Sequence, residues 1–217
     1  MNSELTTSDG FAVAEPASGN PIHGKMLKFV NGAYVADKTE HVPINTRLVA
    51  LDVTTAWVKW KGSKPVEHRI TLPGRIHPER NELPDLDQST WEEGLNGEPS
   101  DCWRNTRYLR LIDPNTGEEY TFITDSFGGR KAVDDLKDAV RNVRYAHPAA
   151  VPVVQLGTTM MKTNFGPKPR PQFKIIGWKN KATAPALAEI ADQREQQDGY
   201  EELHPSHGAE IHDEIPF

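Results

Sequence analysis

Residues 107–145, RYLRLIDPNTGEEYTFITDSFGGRKAVDDLKDAVRNVRY, decide the reading of the fold. Two runs rich in β-branched and aromatic residues flank Asp113-Pro-Asn-Thr-Gly117. That spacer has the chemistry of a type I turn closed by a glycine in the left-handed conformation, so 107–127 reads as strand, turn, strand. The period then changes. Val133, Leu136, Val140 and Val143 recur at helical spacing, which predicts a helix over 130–145. Asp134 and Asp135 would sit in its first turn, Arg141 and Arg144 in its last, and Pro148 lies beyond its end.

Working outward, 151–161 and 172–178 read as two further strands, with a proline-bearing loop, 162–171, between them. Upstream, 46–62 is β-rich and long enough for one bent strand, and 26–37 reads as a hairpin around Asn31-Gly32. Residues 63–105 hold many prolines, glycines and acids and read as an irregular insertion anchored by Trp91 and Trp103. Five main strands with one helix between the third and fourth is the order of an OB-fold barrel, so the expected class is mainly β and OB-fold-like. A small α+β sheet is the rival. The expected domain is 25–181, preceded by a disordered arm over 1–24 and followed by a disordered acidic tail over 182–217.

The formal net charge of −6 averages two opposite segments. Residues 189–217 carry nine acids against one base, a net of −8, whereas 127–181 carry eleven bases against three acids, a net of +8. Such asymmetry points to a nucleic-acid surface with an acidic interaction tail. No run of about 20 apolar residues is present, so no membrane span is expected. The N-terminal residues lack the basic start and apolar core of a secretory signal, and Cys102 is alone, so a cytoplasmic protein is expected. No catalytic triad, metal-ligand spacing or cofactor fingerprint is visible, so no enzyme, metal or cofactor is expected.

Binding a single strand needs cations for phosphates and aromatic faces for bases. The loop 162–171 supplies Lys162, Phe165, Lys168 and Arg170, and Phe165 has little core to join. Lys174 and Trp178 share a strand face by their even spacing. Trp57, Lys59 and Trp60 interleave aromatic and basic character. Tyr108 and Arg110 share a face, and Phe127, Arg130 and Lys131 lie where the third strand enters the helix. Phe122 and Phe173 are expected in the core. The insertion acids Glu79, Glu82, Asp85 and Asp87 would have to serve any nuclease reading, with a metal.

The chain ends Asp213-Glu214-Ile215-Pro216-Phe217. Physically this is a portable ligand: Phe217 can fill an apolar pocket, the carboxylates can meet a basic rim, and proline reduces the ordering cost. The ending resembles the acidic tip of the bacterial single-stranded DNA-binding protein family, which finishes in consecutive Asp residues and Ile-Pro-Phe. The resemblance implies single-stranded DNA as ligand and docking of replication, recombination and repair proteins on the tip. It also implies competition between tip and DNA for the basic groove. The barrel sequence does not match that family, and the arm and insertion depart from it. The body looks more like a divergent, phage-type member, so the family's tetrameric state does not carry over. A different class, an adaptor or inhibitor that mimics the tip without binding DNA, needs only the terminal peptide.

Overall fold

The computed structural model describes residues 21–72, 75–94, 97–148, 150–164 and 166–180. It is mainly β: a curled, open half-barrel sheet with one helix. The strands are β1 (Lys25–Val30), β2 (Ala33–Ala36), β3 (Glu40–Val42), β4 (Arg47–Lys61), β5 (Lys64–Thr71), β6 (Glu92–Glu93), β7 (Pro99–Ser100), β8 (Trp103–Ile112), β9 (Glu119–Thr124), β10 (Ala150–Thr163) and β11 (Gly166–Asn180). The helix α1 spans Phe127–Val143. The main sheet runs β11-β10-β4-β8-β9-β1-β2-β3, with β5 added to β4. It therefore has nine strands where five were expected, because the N-terminal hairpin and part of the insertion join it.

The 15-residue β4 organises the sheet. One edge pairs with β8 from Val49 to Lys59. The other pairs with β10 at Arg47–Val49 and with β5 at Thr55–Lys61. Opposite Leu111 and Arg110, the register steps from Ala50 to Asp52, leaving Leu51 as an extra residue. Such a bulge shifts the alternation of faces and bends the strand. Leu48 and Ala50 accordingly enter the main core before it and Val53 packs there after it, while Ala56 and Val58 bury on the opposite face with Tyr108.

Both predicted turns form. Asn31 (φ 51°) and Gly32 (φ 86°) make the left-handed pair of a tight hairpin, and Gly117 (φ 77°) closes the Asp113 turn. Asp113 itself accepts from the Asn115 N–H at 2.8 Å. The stretch 103–105, expected in the insertion, belongs to β8, and 64–71 is a strand. Residues 21–24, expected in the arm, are docked: the His23 N–H donates to the Thr121 hydroxyl at 2.8 Å, and that hydroxyl donates back to the His23 carbonyl. Residues 1–20 and the tail 181–217 lie outside the described residues.

The helix begins three residues earlier than its apolar period. Ser126 caps it, accepting from the Gly129 N–H at 3.1 Å. Glycine is required at 129, because a Cβ there would lie 1.9 Å from the Thr124 hydroxyl oxygen. Val133, Leu136 and Val140 are buried as expected, but Val143, at the last turn, is exposed. The earlier start also places Asp134 and Asp135 past the first turn. They meet guanidinium groups instead of the helix dipole: Asp134 pairs with Arg107 at 3.0 Å and Asp135 with Arg170 at 3.0 Å.

The expected loop 162–171 is not a loop. β10 and β11 continue as one long antiparallel ribbon as far as the pair Thr163–Gly166. Pro167, Pro169 and Pro171 oppose Lys162, Met160 and Thr158. Antiparallel pairs alternate between those that exchange N–H···O bonds and those that do not. Three prolines two residues apart therefore share the phase whose nitrogen faces away from β10, and β11 is the outer strand. A proline costs no ladder hydrogen bond at such positions.

The main core closes around four aromatic rings. Phe122 and Phe173 meet edge-on at 5.1 Å, and Tyr34 lies 6.2 and 6.3 Å from them, with Phe29 against its other side. Tyr34 is fully buried, and its hydroxyl donates to the Gly157 carbonyl at 2.9 Å and accepts from the Gln172 N–H at 3.2 Å. This ties β2 to the β10–β11 ribbon. Removing the hydroxyl leaves the Gly157–Gln172 ladder pair in place but loses the bonds to β2. Tyr34→Phe is therefore expected to lower stability by about 0.5–1.5 kcal/mol, read as a lower urea midpoint with unchanged slope. A midpoint equal to wild type would show that the tie is dispensable.

Candidate nucleic-acid interface

The longest run of cations follows the ribbon. Alternation along β11 puts Lys168, Arg170 and Lys174 on one face, at about 6.6–6.8 Å per two-residue step for the first pair. Lys174 lies across from Gln155 on β10, which lies across from Arg47 on β4, so a row Arg47–Gln155–Lys174 crosses three strands. Lys162 lies on the other face, opposite Pro167. Lys162, Lys168, Lys174 and Arg47 are exposed, and no carboxylate among the described residues pairs with them. Arg170 is half-buried and held by Asp135, which also takes Lys131 at 2.9 Å. Phe165 lies outside the described residues.

Arg47 was not singled out in the sequence, because nothing local separates it from any basic residue at a strand start. Only the sheet register brings it beside Lys174.

Trp178 does not share the face of Lys174. Between the pairs Val154–Ile175 and Val153–Gly177 the register gains a residue on β11, Ile176. This bulge reverses the alternation, and Trp178 packs against the same core as Phe173. It stacks on His147 with centroids 4.7 Å apart. Tyr108 is likewise no open platform. It is buried with Ala56 and Val58, and desolvation, with the nearby Asp125 charge, pushes its phenol up to about 12. Arg110 forks onto Glu119 at 2.8 and 3.1 Å.

Trp57 and Lys59 are built into the layer formed by the insertion, whereas Trp60 packs beside Ala56, Val58 and Tyr108 on the other face of β4. The Trp57 indole N–H donates to the Pro78 carbonyl at 2.9 Å, and its ring stacks on His77 at 5.5 Å. Trp57 packs with Leu83, Trp103 and Cys102. Lys59 pairs with Asp85 at 2.8 Å, and Arg104 lies over Trp60 at 5.5 Å. The insertion is held by Arg80, whose guanidinium reaches both Asp101 oxygens, at 2.5 and 2.9 Å, and the Asp85 carbonyl at 2.8 Å. Trp91 and Trp103 do anchor it: their indole N–H groups donate to the Asp85 carbonyl and to the Asp85 carboxylate.

The insertion acids do not converge. Asp85 is engaged as above, and Asp87 accepts from the Ser89 N–H and hydroxyl. Among the described residues, no group of three or more His, Cys, Asp or Glu side chains is placed to hold a metal ion.

At the foot of α1 a cleft of about 410 Å³ opens beside the part of β8 that extends beyond β9. Trp57, Trp103, Arg104 and Asn105 line it from the sheet side, and Asp125, Ser126 and Arg130 from the helix side, with Asp101. Arg104 pairs with Asp125 at 3.1 Å. The Nε of Arg130 is buried without a hydrogen-bond partner. Phe127, next to Ser126, is 66% exposed at the first helical position.

Comparison with protein families, with curated proteins and with solved structures gives no match to this chain. No helix among the described residues is long and apolar enough to cross a membrane.

Asp85 gives the insertion a pH dependence. The Lys59 ammonium, then the Trp103 indole N–H, hold its carboxyl below the ordinary carboxylate range. A depressed carboxyl contributes stability that is present above its ordinary pKa and is lost as pH falls through the lowered value. Acidification below about pH 4 is therefore expected to release 75–102 to protease before the sheet unfolds, and Asp85→Asn to release it already at pH 7. Equal cleavage of variant and wild type at pH 7 would refute this.

Proposed function

We propose that this chain is a sequence-tolerant single-stranded DNA-binding protein of replication, recombination or repair, with an acidic tip that recruits partner enzymes. The observation that carries the reading is the row of exposed cations along one face of the ribbon and onto β4, Lys168, Lys174 and Arg47, which no carboxylate among the described residues compensates. Phosphates spaced along a strand are the ligand such a row fits, and its register is independent of base identity. The element order β4, β8, β9, α1, β10, β11 supports an OB-like reading of the half-barrel, with β4 as first strand paired to both the second and the fourth. In that reading the N-terminal hairpin β1–β2 stands where the open side of the barrel would be. The ending Asp213-Glu214-Ile215-Pro216-Phe217 supports recruitment through the resemblance it carries.

The aromatic side of the reading rests on fewer residues than the sequence offered. Of the described candidates, Phe127 is the exposed ring, whereas Trp57, Tyr108 and Trp178 serve packing.

Quenching of tryptophan fluorescence by oligo-dT tests the proposal. Binding at low salt is expected, weakening linearly in log–log form as salt rises. Arg47→Ala, Lys168→Ala and Lys174→Ala together are expected to reduce the salt slope by about 2, at roughly 0.7 per lost single-strand phosphate contact. No binding at low salt would overturn the reading.

Removing 213–217 separates this reading from that of a tip-mimicking adaptor. DNA binding is expected to persist, and to tighten most at low salt, because the acidic tail competes for the same cations. Binding to a purified helicase or nuclease that recognises such tips is expected to be lost. If the full chain captures that enzyme but never DNA, the adaptor reading replaces this one.

A further inference from the structure

We infer that the cleft at the foot of α1 holds one phosphate group of a bound strand between Arg104 and Arg130, and that Asp125 occupies part of that position in the free protein. The inference rests on the single-strand reading above and adds a site to it, away from the ribbon row.

Three observations converge on the cleft. First, it is large enough for one nucleotide unit, at about 410 Å³, and open on one side. Second, Arg130 enters it half-buried, with Nε shielded from solvent and no hydrogen-bond partner, and no carboxylate among the described residues pairs with it. A buried guanidinium nitrogen left without an acceptor is costly, and an anion that reaches it from the open side of the cleft relieves the cost. Third, Arg104 on the opposite wall is held by Asp125 in an exposed single contact at 3.1 Å. Such a pair is worth little in water, so a phosphate can displace the carboxylate.

The cleft's other acid does not oppose this. Asp101 is already forked by Arg80. The local balance is therefore two guanidiniums against one exchangeable carboxylate, which leaves room for an anion. Asn105, Trp57 and Trp103 line the cleft beside the two arginines. The group bound can be an internal phosphodiester or a terminal phosphate. Both present the same oxygens to the two arginines.

The test compares the full chain with Arg130→Gln and Asp125→Asn on dT oligonucleotides with and without a 5′-phosphate, across a salt series. Arg130→Gln is expected to weaken binding about five- to tenfold at low salt and to lower the salt slope by about 0.7–1. Asp125→Asn is expected to tighten binding and steepen the slope, a change that simple loss of folding cannot produce. Effects equal on both oligonucleotides assign the site to internal phosphates, and effects confined to the 5′-phosphorylated one assign it to strand ends. If wild type binds DNA and both variants match it on both oligonucleotides, this inference is overturned and the ribbon reading stands. If wild type binds neither oligonucleotide, the single-strand reading falls and this site falls with it.

Discussion

The hydroxyl of Tyr34 is the contact on which the rest of the structure depends. The sheet begins at β11 and ends with the β1–β2–β3 strands, and nothing in strand pairing alone brings these ends together. The phenol does so by bonding to the backbone of Gly157 and Gln172 from β2. Burial pushes its ionisation well above the ordinary range, so it stays a donor at any physiological pH. With the two ends held, Phe29, Phe122 and Phe173 surround the ring, and α1 covers the same core with Val133, Leu136 and Val140. Each such buried side chain contributes about 1.5–3 kcal/mol, an amount available only while the sheet stays curled.

Local chemistry made much of this legible in the sequence. Asn31-Gly32 and Asp113–Gly117 are turns whose backbone angles few other residues adopt, and both form. The period through Val133, Leu136 and Val140 identified the helix. Its first three residues were hidden, because Gly128 and Gly129 are poor helix formers and carry no apolar period. They are glycines because of the close approach of Thr124 and Arg170. β5 was missed although it follows β4 across the two-residue turn Gly62-Ser63, because its residues are mostly polar and exposed and carry Pro65, so no apolar alternation marks it. The ribbon was missed because prolines usually end strands, and only the phase of pairing shows that these three do not.

The candidate interface was legible as charge and not as geometry. The excess of bases over 127–181 lies partly on the ribbon, but three of those bases are spent on Asp135 and Asp138. Whether an aromatic faces solvent depended on register. The bulge at Ile176 turned Trp178 inward, and the insertion folded over Trp57. A strand's parity can be read from sequence only as far as its first bulge. Arg47 and Arg104 gained their importance from neighbours more than 20 residues away in the chain.

The three edge prolines of β11 have one more consequence. A bare outer strand offers a ladder of N–H donors on which a second chain can assemble, the usual start of fibril growth. On β11, Pro167, Pro169 and Pro171 remove three consecutive donors of that phase along the outer half of the ribbon. The longest exposed margin of the sheet is thereby blunted against self-association. Copies of the chain at high local density are kept from zipping together through the backbones of this margin.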